Sequence, residues 1–294
     1  MAASCKHAPP SVSYAGNLSS AVTLGRRIRE FSTCCAGLSV KLTRVTMMYQ
    51  PRYYRRNVDA TDLVRFSAAL GETDLLVLAD TNLAEQALET VRSIRAEIQG
   101  HILNRREFVT SMEPLPLPEK VASADLPPVV VAMYRAAQIA GTGPMAAVAG
   151  AVAEAVGDSL LQYSRQVIVE NGGDIFIKSD EPRTVSIYAG DAALSEKIGL
   201  VVPPGRVGIC TSSATVGHAI SIGCADAAVV VCSDTALADA MATALGNRVK
   251  SADDIEPALD WVQQIEGVLH AAVVFRDHFG TWGQFEVVPV GTGW

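Results

Sequence analysis

The chain has 294 residues, 49% of them hydrophobic, with a mean hydropathy of +0.23, which suits a sizeable buried core and excludes bulk disorder. Its 24 basic and 31 acidic residues leave a net charge of −7, which argues against a general nucleic-acid binder. No apolar run reaches the roughly 18 residues of a membrane-spanning helix, so no membrane partner is expected.

Residues 1–46 carry Lys6, Arg26, Arg27, Arg29, Lys41 and Arg44 against Glu30 alone, in a Ser-, Thr- and Ala-rich background. They lack the apolar segment of a secretory signal. They read as an N-terminal extension, either transit-like or the product of a translation start placed ahead of Met47 or Met48, and residues 47–294 read as the folded domain. The six cysteines form no Cys-x-x-Cys pair and read as thiols of a reducing cytosol, which places the chain in the cytoplasm.

Strand and helix signals alternate from Tyr49 onward. Asp74 to Ala79 is a short apolar strand, and Leu83 to Ile102 has helical periodicity with Asn82 as N-cap. The Pro-rich stretch from Pro114 to Pro128 is a connector, and Val129 to Ala140 is a helix. Gly141-Thr142-Gly143-Pro144 then opens a second helix at Pro144. Strands follow at Gln166–Glu170, Ile175–Lys178, Val185–Tyr188 and Arg206–Cys210, and Ala227–Cys232 reads as a strand buried on both faces. Asp234 to Leu245 is an Ala-rich helix stopped by Gly246-Asn247, and strands lie around Ala271–Phe275 and Phe285–Val288.

Four segments carry residues suited to chemistry. In Glu170-Asn171-Gly172-Gly173-Asp174, two glycines permit positive φ and close approach, while Asn171 and Asp174 present a carboxamide and a carboxylate. The same pattern also describes an ordinary hairpin turn. Asp239 and Thr243 stand four apart on one helix face, where a carboxylate and a hydroxyl can meet a hard cation such as Mg²⁺; a solvated helix face is the plain alternative. Thr211, Ser212, Ser213 and Thr215 form a hydroxyl-rich loop able to hold phosphate or carboxylate, with His218 beside it as a proton-transfer group. Gly143, ahead of an Ala- and Gly-rich helix, offers free amides to an anion, although the small residues also suit close packing.

In this order, GPMAAVAGAVAEAVG, VENGGDIFI, GICTSSATVGHAISIGCADAAVVV and ALADAMATALGNRV resemble the uncharacterised proteins grouped with the ApbE flavin transferases. The likeness extends from YQPRYYRR to TWGQFEVV. It implies an α+β, ApbE-like fold of mixed sheets packed with helices in a single compact domain. ApbE enzymes bind FAD and Mg²⁺ and transfer FMN to a Thr of a partner flavoprotein. Their Gly-Gly-Asp turn corresponds to Gly172, Gly173 and Asp174, and their metal-binding Asp-Ala-x-x-Thr helix to Asp239, Ala240 and Thr243. Their Lys-Gly-Tyr-Ala lysine has no counterpart here, and Gly217-His218-Ala219-Ile220 lacks their Asp-Pro.

The resemblance therefore implies a small-molecule site for a phosphate- or carboxylate-bearing ligand, FAD or FMN among the candidates. Mg²⁺ falls on Asp239 and Thr243, and ligand contacts on Asn171, Gly172, Gly173, Asp174, Thr211, Ser212, Ser213 and Gly143. His218, Thr215 and Asp174 are the catalytic candidates, and a homodimer is the expected assembly. Two alternatives stay open. One is a hydrolase of a small polar or cyclic metabolite, working through Thr215 or Ser213 with His218. The other is a non-catalytic flavin- or metabolite-binding protein.

Overall fold

The structure is a computed structural model and describes residues 60–118, 126–214 and 222–291. Eight strands form one sheet in the order β1 (Val64–Leu70), β2 (Thr73–Ala79), β3 (Val167–Asn171), β4 (Asp174–Ser179), β7 (Gly205–Ser212), β8 (Ala227–Cys232), β9 (Val268–Phe275) and β10 (His278–Gly283). A second sheet holds β11 (Glu286–Pro289), β6 (Ile198–Val202) and β5 (Arg183–Ser186). The six α-helices among the described residues are α1 (Ala84–Asn104), α2 (Glu107–Thr110), α3 (Pro128–Ala140), α4 (Val148–Leu160), α5 (Thr235–Arg248) and α6 (Ile255–Val262).

Strand periodicity sorts the core into two layers. On β2, Leu75, Val77 and Ala79 pack with the helices, while Leu76 and Leu78 pack with the three-stranded sheet. On β8, Ala228, Val230 and Cys232 join the helical side, and Ala227, Val229 and Val231 the other. A strand covered on both faces needs apolar residues at every position, which is why AAVVVC shows no alternation. The fold is thus α+β in one compact domain, as the motifs imply. Its sheets are not mixed in direction: every strand pairing among the described residues is antiparallel.

Several boundaries move. Helix α1 starts at Ala84 with Leu83 at the N-cap, although Asn82 Oδ1 does accept the Ala84 N–H at 3.1 Å. Helix α5 runs through Gly246 to Arg248. That glycine is no stop; it faces Ala228 and Ser212 at van der Waals distance. Strands β1, β6 and β10 and helix α6 carry no clear sequence signal. The two strands at the sheet edges, β1 and β10, alternate with solvent-facing polar residues, and α6 has only 8 residues. The extension expected over residues 1–46 lies outside the described residues.

Candidate functional site

The Gly172–Gly173 turn joins β3 to β4 and is closed by the Asn171–Asp174 pair. Both glycines have positive φ, +72° and +107°, as two-residue hairpin turns of the primed kind require. The hairpin reading of this segment is therefore correct for the backbone. Among the described residues nothing lies within 4 Å of a Cβ built on Gly172, and for Gly173 only the Thr211 carbonyl comes near, at 3.8 Å. The glycines serve the turn itself, and no described residue fills the space beside Gly172.

Alternation along β3 and β4 decides where the flanking side chains go. Val167, Val169 and Phe176 belong to the helical side of the sheet, so Asn171 and Asp174 share that side, while Glu170 and Ile175 take the opposite one. Asn171 Nδ2 donates to the Ala149 carbonyl at 3.0 Å, tying the turn to the start of α4. The Gly150 N–H in turn donates to Asp239 Oδ2 at 2.8 Å, and the Ala149 N–H also supports that carboxylate. Close packing makes this reach possible: a Cβ on Gly150 would stand 2.4 Å from the Thr235 carbonyl and 2.8 Å from Asp239 Cβ. The small residues at the start of α4 let α5 approach.

Asp174 and Asp239 consequently act on each other. Asp174 is buried near the Cys210 thiol and the Thr211 amide, which favour its charged form, while the thiol donates to Thr235 O at 3.5 Å. Burial, and after it the neighbouring Asp239 charge, hold the Asp174 carboxyl well above the usual range. Burial pushes Asp239 up to about 7 against the two amides that pull it down. Among the described residues, no basic side chain is named with the groups that act on either carboxyl. Two like charges kept together without a counter-charge favour a shared proton or a bound cation. Thr243 lies one turn beyond Asp239, half-buried, and its hydroxyl makes no hydrogen bond with a described residue.

The hydroxyl-rich segment is only partly a loop. Thr211 and Ser212 are the last residues of β7, with Ser212 and Ser213 buried. Ser212 Oγ sits 3.7 Å from a Cβ built on Gly246, which brings this segment beside the second half of α5. The Ala214 amide donates to Ala225 O at 3.0 Å, and the returning chain is pinned to the end of α5 by Ile222 N to Asn247 Oδ1, 2.9 Å, and Cys224 N to Val249 O, 2.8 Å. Thr215 and His218 lie outside the described residues. Gly143 opens a short 3-10 turn (Pro144–Ala147) that leads into α4, and a Cβ there would meet the Ser111 carbonyl oxygen at 1.8 Å. Packing alone requires that glycine.

Two contributors carried no assigned role in the sequence. The Gly150 amide holds Asp239 from 89 residues away, with the Ala149 amide beside it, which no local pattern announces. Glu170 is a buried carboxylate whose Oε1 accepts the Gly173 N–H at 2.9 Å; a lone Glu closing an apolar strand is its signal. The other described histidines have structural places. His101 meets Tyr134 Oη at 2.9 Å. His270 is buried on β9 with its pKa depressed to about 4 by burial, between Thr281 Oγ1 at 2.9 Å and the Phe285 amide at 3.3 Å. His278 is exposed on β10.

Residues 55–286 match the family described as AbpE bacteria. A UPF0280 protein of Methanocella arvoryzae is 40% identical over 216 residues, covering 72% of this chain and 86% of the relative. One of Methanospirillum hungatei is 40% identical over 225 residues, covering 75% and 88%. Among solved structures, the flavin transferase ApbE from Vibrio cholerae superposes with a TM-score of 0.50 at 12% identity, over 75% of this chain and 96% of that one. At that identity the likeness speaks for the fold.

Proposed function

Since the chain belongs to the AbpE bacteria family, we propose that it binds Mg²⁺ at Asp239 and Thr243, facing Asp174, together with a phosphate- or carboxylate-bearing small molecule. One observation carries this reading: two buried carboxylates from different elements, Asp174 on β4 and Asp239 on α5, are near enough for the charge of Asp239 to act on Asp174, and among the described residues no basic side chain is named as acting on either. The donor set fits a small hard cation. It offers two carboxylates and a hydroxyl and leaves further positions to water or ligand oxygens, as Mg²⁺ prefers. No described residue fills the space beside Gly172, two positions from Asp174, which supports room there for the ligand.

The bound cation would neutralise negative charge on phosphate oxygens. The chain's own part is to hold Asp239 through the Ala149 and Gly150 amides and to offer the Thr211–Ser213 hydroxyls at the end of β7. Proton transfer falls to His218, with Thr215 beside it. The protein of like fold from Vibrio cholerae is a flavin transferase, so FAD and FMN are the first ligands to try. In this reading the activity belongs to residues 47–294 and residues 1–46 are dispensable to it; a family match that begins at residue 55 supports that division.

Thermal unfolding in the presence of Mg²⁺, FAD, FMN, or each nucleotide with Mg²⁺ tests the reading. Joint addition should raise the melting temperature by several degrees, since a ligand at about 100 times its Kd adds roughly 2.7 kcal/mol. Asp239→Asn should abolish the Mg²⁺-dependent part and leave the fold intact. A wild-type protein indifferent to Mg²⁺ with either nucleotide would remove the cation from this site.

A further inference from the structure

We propose that Glu170 is a positioning residue: from the face of the sheet opposite Asp174 it grips the Gly173 amide, fixing the turn and hence where Asp174 stands relative to Asp239. The inference rests on the cation reading above for its functional consequence, though not for its geometry.

Glu170 occupies the last apolar-facing position of β3, opposite Leu76 on β2 and Ile175 on β4, and is 3% exposed. A carboxylate in such a place costs several kcal/mol of hydration that a leucine would not forfeit. The hairpin does not need it, because a Gly-Gly turn closes two antiparallel strands without help. That turn is also the least self-determined of its kind. With both central residues lacking Cβ, many backbone conformations compete, and the next residue in the chain is Asp174.

Glu170 Oε1 accepts the Gly173 N–H at 2.9 Å, a charge-assisted bond. On the other face Asn171 Nδ2 donates to Ala149 O, and the Ala149–Gly150 amides support Asp239. The turn is thereby clamped from both faces of the sheet. One clamp leads directly to the element that holds the second carboxylate. Asn171, whose carboxamide is engaged in this way, belongs to the brace more than to the ligand surface.

Two measurements on the full chain separate this inference from the reading beneath it. Amide hydrogen exchange at Gly173, followed by NMR without added metal, reports the turn. Mn²⁺ binding followed by electron paramagnetic resonance reports the cation. Glu170→Ala should speed exchange at Gly173 by about tenfold or more and weaken Mn²⁺ by about tenfold, the scale of a lost bond to a charged group. Glu170→Gln keeps the acceptor oxygen and should hold both within about threefold. Should the alanine variant not fold, Glu170→Met keeps the length and removes the acceptor. Unchanged exchange at Gly173 in the alanine or methionine variant overturns the inference. Equal loss of Mn²⁺ affinity in the glutamine variant does so too, because Glu170 would then act as a charge. If the wild type binds no Mn²⁺, the cation reading falls, and Gly173 exchange still decides whether Glu170 holds the turn.

Discussion

Two regions of this protein bury charge, and they do so in opposite ways. At the corner between β4 and β5, the nearly inaccessible Arg183 reaches Asp62 with both terminal nitrogens, at 2.5 and 2.8 Å. It also donates to Ser179 Oγ at 2.8 Å and to Gln166 Oε1 at 3.0 Å. The Arg183 hydrogen bond lowers the Asp62 pKa. On the helical side of the sheet, the charge of Asp239 acts on Asp174, with amides and a thiol for company, and both pKa values rise. The corner is complete within the chain. Among the described residues no counter-charge is named for the pair, which is why we propose a cation there and none at the corner.

Breaking the corner should give the largest effect. Arg183→Ala takes one donor from each of the buried Gln166 and Ser179 and the bidentate partner from Asp62, and a hydrogen bond to a charged group is worth about 1.5–3 kcal/mol. Calorimetry should show a fall of about 10 °C in melting temperature. The Mg²⁺-dependent increment should survive in that variant, because the corner holds no part of the site. Loss of the increment along with the stability would mean that the two regions are not independent.

The regions should also part on pH. Asp62 has a lowered pKa, so its contribution is present above its usual value of 3.8 and is lost as the pH falls. Asp239 is raised to about 7, so its contribution is present below 3.8 and is lost as the pH rises through 7. Glu154 behaves like Asp239: burial first, then Asp234, push it up to about 7, despite its bonds to Arg206 and to the Thr235 and Ala236 amides. Without divalent cations, stability should therefore decline from about pH 4 to about pH 7. Asp239→Asn and Glu154→Gln should each flatten that decline, by about 1–3 kcal/mol. Saturating Mg²⁺ should flatten it in the wild type and in Glu154→Gln, and add nothing to Asp239→Asn. A decline that Mg²⁺ leaves untouched would detach the pH response from the pair.

Much of this contrast was legible in the sequence, and the reasons for the rest are specific. The continuous apolar run of β8 and the Asn171–Asp174 turn declare themselves because each obeys one local rule. The start of α5 does too: Asp234 sits at the N-cap, its Oδ1 accepting the Leu237 N–H at 2.8 Å. Asp174 and Asp239 were named from motifs, and the structure brings them together. What their spacing could not convey is how Asp239 is held, because the donors are backbone amides of α4 made accessible by Gly150. Backbone atoms leave no letter in a sequence. The Arg183 corner was missed for a related reason, since its members, Asp62, Gln166, Ser179 and Arg183, come from four separate places in the chain. Gly246 misled because a glycine that ends a helix and one that lets a helix pack closely look alike until the partner is seen.

The smallest expected effect concerns Thr243, and it sharpens the comparison most. At the corner every polar group named here has a partner, so removing any of them should lower stability. Thr243 is half-buried on the same helix face as Asp239, with no hydrogen bond from its hydroxyl to a described residue. Thr243→Val keeps the shape and removes only the oxygen. It should leave the metal-free melting temperature unchanged or slightly higher, since no intramolecular bond is lost. Mg²⁺ affinity, read by titration calorimetry, should fall by about three- to tenfold, the worth of one neutral ligand among several. A lower metal-free stability would place Thr243 with the brace. Unchanged affinity would leave the cation to Asp174 and Asp239 alone, and the helix would then contribute one ligand where its spacing offers two.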